Sequence, residues 1–288
     1  MCIDLHTHSL YSDGSHSPRE LVALGVENRL QCLALTDHDT VEGVAELLRY
    51  GQEAGLPVIS GVEISATLRQ YTVHILGYGF DPLLPELTEW LRPLQNGRAR
   101  RNQTILEKLS SLGIDISEQE LQAVSAAGQT GRPHFARILV ARGVVPSFDA
   151  AFSRYLGRNK PAWAPRFCYS ASEAIAMIHQ AGGKAVLAHP GMLNPDIRVI
   201  ASLVQDLARN GLDGLEAYHP SHNKQLRRKL VQLAKDGQLL ATGGSDFHGV
   251  TRPAHPLAGQ TNGFCPPASL LPPLLNALAK PKLIPYQS

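Results

Sequence analysis

The sequence predicts an α/β fold, a seven-stranded β/α barrel that carries an all-helical insertion. Short segments rich in Val, Ile and Leu alternate with amphipathic segments near both ends of the chain, and this alternation stops between about residues 98 and 165. Seven strands with helical crossovers are one short of the common eight-stranded barrel. We therefore divide the 288 residues into a barrel, 1–97 plus 166–288, and a helical insertion domain, 98–165.

Before the insertion the pattern predicts four strands, at residues 2–5, 31–36, 57–62 and 72–78. Ser17 and Pro18 are a cap residue and a first-turn proline, so a helix begins there. A second helix follows Thr40 and ends at Gly55. Since helical crossovers join parallel strands, we expect the barrel strands to be parallel.

The insertion has helical periodicity throughout, at residues 83–112, 117–127, 132–142 and 147–155. Arg98, Arg100 and Arg101 cluster in the first of these helices, and we expect them to lie on an exposed face. Three further strands follow, each after a helix that ends at glycine, at residues 184–188, 213–218 and 238–242. The proline-rich segment from Pro253 is expected to wrap irregularly around the outside.

Composition excludes several classes of protein. The net charge of +2 lacks the strongly basic character of proteins that coat nucleic acid, so we expect no duplex DNA partner. The four cysteines form no C-x-x-C pair, so we expect neither a Cys-zinc site nor a disulfide framework. No basic-then-apolar leader or long apolar segment is present, so we expect a cytoplasmic protein without a membrane partner.

The distribution of histidines and carboxylates predicts a metal site. Nine such groups fall at or near the carboxyl ends of the predicted strands, where barrel active sites form: His6, His8, Asp13, His38, Glu63, His74, His189, Asp246 and His248. Residues two apart on a strand share a face, which brings both imidazoles of the His-x-His motif together. Imidazole and carboxylate donors without thiolate suit Zn, Mn or Fe. Nine groups with one bridging carboxylate would serve three ions.

Each of these residues also has an ordinary interpretation. A single buried histidine is more often a hydrogen-bonded core residue than a ligand, and for His74 alone ligation is the minority interpretation. The convergence of six histidines and three carboxylates favours a metal site. We expect His222 to be solvated and His255 to have no role in the site. We expect Asp37 and Asp39 to contact a ligand or cap a helix rather than bind metal.

The ordered motifs Asp4-Leu5-His6-Thr7-His8-Ser9, Thr36-Asp37-His38-Asp39, Glu63, His74, His189-Pro190 and Ser245-Asp246-Phe247-His248 resemble those of the polymerase-and-histidinol-phosphatase (PHP) family. This resemblance implies a distorted seven-stranded barrel with a trinuclear metal centre. It implies that His6, His8 and Asp246 hold one ion, that Glu63 bridges to a second held by His74 and His189, and that Asp13, His38 and His248 hold the third. Several relatives have histidine in place of Asp13. The related amidohydrolases commonly use a carboxylated lysine where Glu63 stands.

Within the family, Gly131-Arg132-Pro133-His134 and Arg158-Asn159-Lys160-Pro161 resemble the branch that hydrolyses nucleoside 3′,5′-bisphosphates, some members of which also trim short 5′-phosphorylated RNA. We therefore expect hydrolysis of a phosphomonoester by a metal-activated water, with Mn²⁺ as the expected ion and Zn²⁺ or Fe²⁺ as alternatives. Glu63 and His219 are the predicted catalytic residues, His219 as a donor to the leaving oxygen.

A second phosphate needs cationic side chains beyond the metals. The candidates for binding it are Arg132, His134, Arg158, Lys160 and His219. An ordinary solvated arginine is an equally weighted interpretation of Arg132.

Alternative functions are a histidinol-phosphate-type phosphatase, a non-catalytic metal-binding module that supports a polymerase, and a carbon–nitrogen hydrolase. The expected partner is a small nucleotide or a short RNA end, with no obligate protein partner.

Overall fold

The computed structural model describes residues 1–125, 128–252, 254–260 and 264–279. Its strands are β1 (Asp4–Thr7), β2 (Leu33–Leu35), β3 (Val58–Leu68), β4 (Tyr71–Tyr78), β5 (Tyr169–Ser170), β6 (Lys184–Leu187), β7 (Gly214–Tyr218) and β8 (Leu240–Gly243). Its α-helices are α1 (Pro18–Glu27), α2 (Val44–Ala54), α3 (Pro85–Ser111), α4 (Glu118–Ser125), α5 (Arg132–Ala141), α6 (Phe148–Ala151), α7 (Ala171–Gln180), α8 (Pro190–Leu193), α9 (Ile197–Arg209), α10 (Lys224–Asp236) and α11 (Leu271–Leu278).

The sheet closes into the predicted barrel. Its strand order is β1-β2-β3-β4-β6-β7-β8, which is a path of seven strands. The segment after β8 then returns to β1, where Phe247 bridges Thr7 in parallel and its carbonyl accepts a 2.9 Å hydrogen bond from the His8 N–H. This closure places His8 beside the Asp246–His248 segment, although the two lie at opposite ends of the chain.

The expectation that all barrel strands are parallel is wrong for β4. This strand is antiparallel to both β3 and β6. The reason is local, because only Arg69 and Gln70 separate β3 from β4, and so short a connection makes a hairpin. Arg69 adopts the left-handed conformation with φ 53°. An eighth, two-residue strand, β5, pairs with β3 outside the barrel path.

Helices α3 to α6 enclose an apolar core of their own, which includes Ile105, Leu109, Phe135 and Leu139. The helical prediction for the insertion is confirmed over the described residues, but residues 126 and 127 of the predicted second helix lie outside them. The division of the chain at residues 98 and 165 stays a prediction, and α3 runs across the first of these boundaries.

The residues before β1 meet a segment that lies before α11. The Ile3 N–H donates a 3.0 Å hydrogen bond to the Pro266 carbonyl, and Cys2 forms a disulfide with Cys265. The sequence analysis, which expected no disulfide framework, did not predict this pair, because only the fold brings together residues separated by 263 positions. Pro253, where the predicted outer wrap begins, lies outside the described residues. Within the part of the chain that the structure describes, no helix is long and apolar enough to cross a membrane.

Candidate metal centre

Glu63 lies at the centre of the predicted site. It is buried on β3, where its side chain points into the mouth of the barrel, and is 1% exposed. Its carboxylate oxygens lie within 3.4 Å of imidazole nitrogens of five histidines, His6, His8, His38, His74 and His189. The two oxygens divide this set: Oε1 faces His74 at 2.7 Å, whereas Oε2 faces His38 at 2.9 Å. The structure therefore brings these six predicted residues together.

Two further carboxylates complete the cluster. Asp246 Oδ1 lies 3.2 Å from His8 Nε2 and 3.5 Å from His6 Nε2. Asp13 Oδ1 lies 3.2 Å from His248 Nε2. Potential ligand atoms within 4.8 Å of one another form the sets His6–His8–Glu63–Asp246, His8–Asp13–His38–His248 and His38–Glu63–His74. All nine predicted ligands thus lie in one connected cluster.

The donor atoms of this cluster fit divalent cations. Although His38 Nδ1 and His74 Nδ1 closely approach Glu63, neither nitrogen has a hydrogen-bond partner. His6 Nε2, His8 Nε2 and Glu63 Oε2 are also buried without one. Buried polar atoms are normally satisfied, and a group of unsatisfied nitrogens around a carboxylate is the arrangement that a shared cation satisfies.

The charges of the cluster also favour cations. Burial alone would raise the pKa values of Asp13, Glu63 and Asp246, but all three lie well below their usual range. Imidazoles lower the pKa values of Asp13 and Glu63, whereas Arg252 and then the imidazoles lower that of Asp246. Burial likewise opposes protonation of His8, yet Asp246 and Glu63 raise its pKa to about 9. Three buried carboxylates therefore attract positive charge, which bound cations would supply in place of protons.

Glu216 is a buried carboxylate beside the cluster that the sequence analysis missed. It is fully buried on β7, and its Oε1 lies 3.0 Å from His6 Nδ1. Its Oε2 accepts a 2.8 Å hydrogen bond from the His189 N–H. A carboxylate that holds the far nitrogen of an imidazole fixes the orientation of that ligand. The available signal was a single acidic residue inside an otherwise apolar strand.

Asp246 has partners outside the predicted ligand set. Its Oδ2 pairs with Arg252 and lies 3.4 Å from His219 Nε2 and 3.9 Å from His255 Nδ1. His255, for which no role in the site was expected, thus lies beside the cluster. His219 Nδ1 accepts a 3.1 Å hydrogen bond from the Ser221 N–H, which leaves the proton of the neutral ring on Nε2, facing Asp246.

A second charged cluster adjoins the first. Asp39 Oδ2 accepts hydrogen bonds from Arg98 Nε at 2.6 Å and Arg166 Nη1 at 2.9 Å, and both guanidinium groups also donate to Ser65 Oγ. Burial would raise the pKa of Asp39, but the two arginines hold it well below its usual range. Asp39 therefore anchors arginines rather than a metal, as expected of a residue beside His38.

The expectation that Arg98 and Arg101 lie on an exposed face is wrong. Both are buried, at 6% and 5% exposure, whereas Arg100 is exposed. The charge pattern of a helix is a local signal and does not reveal partners elsewhere in the chain. Asp39, in the loop after β2, packs against α3 and pairs with Arg98.

The predicted substrate-binding residues fall into two groups. Gly131, at the start of α5, lies against Asp13, since a Cβ built on it would be 3.7 Å from Asp13 Oδ2. Arg132 and the buried His134 therefore belong to a turn beside the cluster. In contrast, Arg158 is exposed and donates to the Gln70 carbonyl at the tip of the β3–β4 hairpin, and Lys160 is exposed in the same loop. The structure does not bring Arg158 to the cluster.

A family model for the PHP domain matches residues 4–157, which is more than half of the chain. The chain belongs to the PHP family. It is 37% identical to the 5′-3′ exoribonuclease Rnm of Escherichia coli, over 85% of this chain and 84% of the relative. It is 35% identical to the 3′,5′-nucleoside bisphosphate phosphatase of Chromobacterium violaceum, over 85% and 87%.

A solved structure agrees with the PHP fold over nearly the whole chain. An amidohydrolase from Chromobacterium violaceum, determined with bound sulfate and no metal, superposes with a TM-score of 0.86 at 33% identity, covering 96% of this chain and 97% of that one. The names of the two relatives given above both describe enzymes that hydrolyse phosphate esters. This PHP protein is therefore a metal-dependent phosphoesterase.

Proposed function

We propose that this PHP enzyme hydrolyses the 3′-phosphate of nucleoside 3′,5′-bisphosphates, for example adenosine 3′,5′-bisphosphate to AMP and phosphate. One observation carries the proposal: two arginines lie directly beside the imidazole–carboxylate cluster, the buried Arg98 and the partly buried Arg166, both held on Asp39, the residue after His38. A substrate with a second phosphate needs cationic groups next to the hydrolytic centre. The relative named for this activity and the sulfate in a similar structure support this assignment.

We assign the ions as follows: His6, His8, Glu63 and Asp246 would hold one divalent ion, Glu63, His74 and His189 a second, and Asp13, His38 and His248 a third. Mn²⁺ is the expected ion, with Zn²⁺ or Fe²⁺ as alternatives, since availability decides among them. When bound, such ions supply a nucleophile at neutral pH and neutralise the phosphoryl oxygens. Glu63 would serve as the bridging carboxylate.

The side chains around the ligands orient them and contact the substrate. Glu216 holds His6 and the His189 backbone, so it keeps two ligands in place. His219 presents an Nε2–H towards the cluster, which makes it a hydrogen-bond donor for the leaving oxygen. Arg132 and His134 are proposed to contact the substrate phosphate from the first turn of α5. Arg158 and Lys160, which lie in an exposed loop, are proposed to contact only a longer substrate.

Short 5′-phosphorylated RNA is a second candidate substrate. It is favoured by the 37% identity to the named exoribonuclease and by Phe167, which is 48% exposed beside Arg166 and offers a ring on which a base could stack. In either case the proposed partner is a nucleotide or RNA end in the cytoplasm, without duplex DNA, a membrane or an obligate protein partner.

The test is phosphate release by the protein purified with Mn²⁺, from adenosine 3′,5′-bisphosphate, histidinol phosphate, 5′-AMP and a 5′-phosphorylated trinucleotide. The proposal expects release from the bisphosphate, with none from histidinol phosphate or 5′-AMP. Shortening of the trinucleotide at its 5′ end would add the second candidate. Release of phosphate from histidinol phosphate alone would replace the proposal with the small-molecule alternative. Three bound metals per chain without phosphate release from any compound would contradict the substrate assignment.

A further inference from the structure

A cavity of about 500 Å³ lies between α3 and the segment before β5. Pro93, Gly97, Arg101 and Thr104 line it from one face of α3, because residues three and four apart are neighbours on a helix. Residues 165–167 line the opposite side. The cavity is thus bounded on two sides, by α3 and by the chain that returns to the barrel.

Arg101 is buried in this cavity wall without a compensating charge. It is only 5% exposed, and its Nε and Nη2 both donate to Asn102 Oδ1, at 3.2 Å and 2.9 Å. Over the described ranges it forms no ion pair, unlike Arg98 and Arg166. A guanidinium cannot lose its proton at neutral pH, so burying it unpaired is costly unless an anion arrives.

The surroundings of Arg101 intensify this excess of positive charge. Burial lowers its pKa, and the neighbouring guanidiniums of Arg98, Arg166 and Arg132 lower it further. Asp39 is the carboxylate that acts in the opposite direction, and it is already shared by Arg98 and Arg166. Arg101 thus lies among like charges, and the carboxylate near it is already paired with two other arginines.

Arg166 connects the cavity to the metal centre. It lines the cavity, while its guanidinium reaches Asp39 and Ser65. Ser65 lies two residues after Glu63 on β3, so both side chains share a face of the strand roughly 7 Å apart. An anion held by Arg166 and Arg101 would therefore lie about one nucleoside unit from the proposed hydrolytic centre.

We propose that Arg101 and Arg166 form a binding site for the phosphate of the nucleotide substrate that is not hydrolysed. This inference rests on the proposed function and names the residues that select for a second phosphate. Two guanidinium forks provide the bidentate donors that a phosphate accepts, and one of them has no other charged partner among the described residues. No bond is made or broken at this site, so its residues act on affinity and specificity.

The first experiment measures binding without hydrolysis. In the presence of EDTA, AMP should raise the melting temperature of the wild type, whereas adenosine, which lacks the phosphate, should not. Arg101→Met should lose most of the AMP-induced shift. Arg92→Gln is the matched control, because Arg92 lies exposed on the same helix outside the cavity lining and should retain the full shift.

The same variant separates a binding role from a structural one. Methionine keeps the unbranched stem of Arg101 and removes an uncompensated buried charge, so the melting temperature without ligand should stay equal or increase. A lower melting temperature with a full AMP shift would show that Arg101 supports the fold and would overturn the proposal. An AMP shift equal to that of the wild type at unchanged stability would overturn it as well.

The second experiment is kinetic. Arg101→Met should lower kcat/KM for adenosine 3′,5′-bisphosphate by about 10- to 100-fold, mainly by raising KM. Its kcat/KM for a simple aryl monophosphate should fall by clearly less. Equal losses on both substrates would remove Arg101 from the second-phosphate site. If AMP binding depends on Arg101 but no nucleotide is hydrolysed, the proposed function fails and the phosphate site stands. If bisphosphates are hydrolysed and Arg101→Met matches the wild type in both assays, the proposed function stands and the phosphate site fails.

Discussion

At the scale of single residues, Glu63 has the most constrained position in the molecule. Five imidazoles surround its carboxylate, and they divide between its two oxygens. A carboxylate that faces a different set of ligands with each oxygen is suited to bridge two cations. A structural acid would instead accept hydrogen bonds, yet Glu63 Oε2 has none.

Glu63→Gln tests this bridging role. The amide keeps the shape of the side chain but removes the negative charge, so we expect fewer bound ions per chain and a fall in kcat of at least about 100-fold, with the fold retained. Metal analysis, phosphate release and circular dichroism measure the three quantities. Glu53→Gln on the exposed face of α2 is the control and should match the wild type. Wild-type metal content with a near wild-type rate would contradict the bridging role.

His222 gives a prediction about pH. The expectation that it is solvated is wrong, because it is fully buried: its Nδ1–H donates to the Ala217 carbonyl and its Nε2 accepts from the Gly191 N–H, both at 3.1 Å. If the ring took up a second proton on Nε2, that N–H would point at the Gly191 N–H, and the hydrogen bond between them would be lost. Burial accordingly lowers the pKa of His222 from 6.5 to about 4.

The sign of the pH effect follows from this lowered pKa. Between pH 6.5 and 4 the unfolded chain binds a proton at His222 that the folded chain does not, so its contribution to stability is complete above pH 6.5 and is lost as the pH falls. In EDTA, His222→Gln should reduce the loss of unfolding free energy between pH 7.5 and pH 5 by about 2 kcal/mol, as measured by urea denaturation. An unchanged pH slope would show that His222 titrates normally.

At the scale of elements, Asp39 joins three parts of the chain. It follows β2 in the left-handed conformation with φ 55°, and its Oδ1 accepts a 2.7 Å hydrogen bond from the Ser65 N–H of β3. Its Oδ2 holds Arg98 of α3 and Arg166 before β5. A single buried carboxylate thereby fastens both edges of the helical insertion to the mouth of the barrel.

Asp39→Asn should therefore be strongly destabilising. It leaves the buried guanidinium of Arg98 and the partly buried one of Arg166 without their charge partner, and breaking a buried ion pair from one side costs about 3–5 kcal/mol. Urea denaturation measures this cost. Asp236→Asn, at the exposed end of α10, should change the unfolding free energy by no more than about 0.5 kcal/mol. A similarly small effect for Asp39→Asn would mean that neighbouring groups replace its charge.

The sequence pattern predicted the helices and strands better than the contacts between them. Caps and glycine stops were readable because they act within one turn, as with Ser17 before α1 and Gly55 after α2. The clustering of the nine candidate ligands was predictable because strand ends converge in any β/α barrel. The burial of Arg101 and the role of Glu216 were not, since each depends on partners that only the assembled barrel supplies.

At the scale of the whole molecule, the candidate metal centre cannot exist in a fragment. Its nine groups span residues 6 to 248, and closure between Thr7 and Phe247 brings the two ends together. Metal binding should therefore stabilise the complete barrel rather than one element, because the ligands are assembled only in the folded state. The disulfide between Cys2 and Cys265 acts on the same closure from the opposite end of the barrel.

Cys265→Ser tests how much this second link contributes. The disulfide spans 263 positions, so breaking it frees nearly the whole chain in the unfolded state and should lower the unfolding free energy by about 2–4 kcal/mol. Dithiothreitol should destabilise the wild type by a similar amount and leave Cys265→Ser unaffected. Cys168→Ser, which removes an unpaired thiol, is the control and should respond to dithiothreitol as the wild type does. Equal stability of wild type and Cys265→Ser under oxidising conditions would show that the hydrogen bond between Ile3 and Pro266 suffices to hold the two segments together.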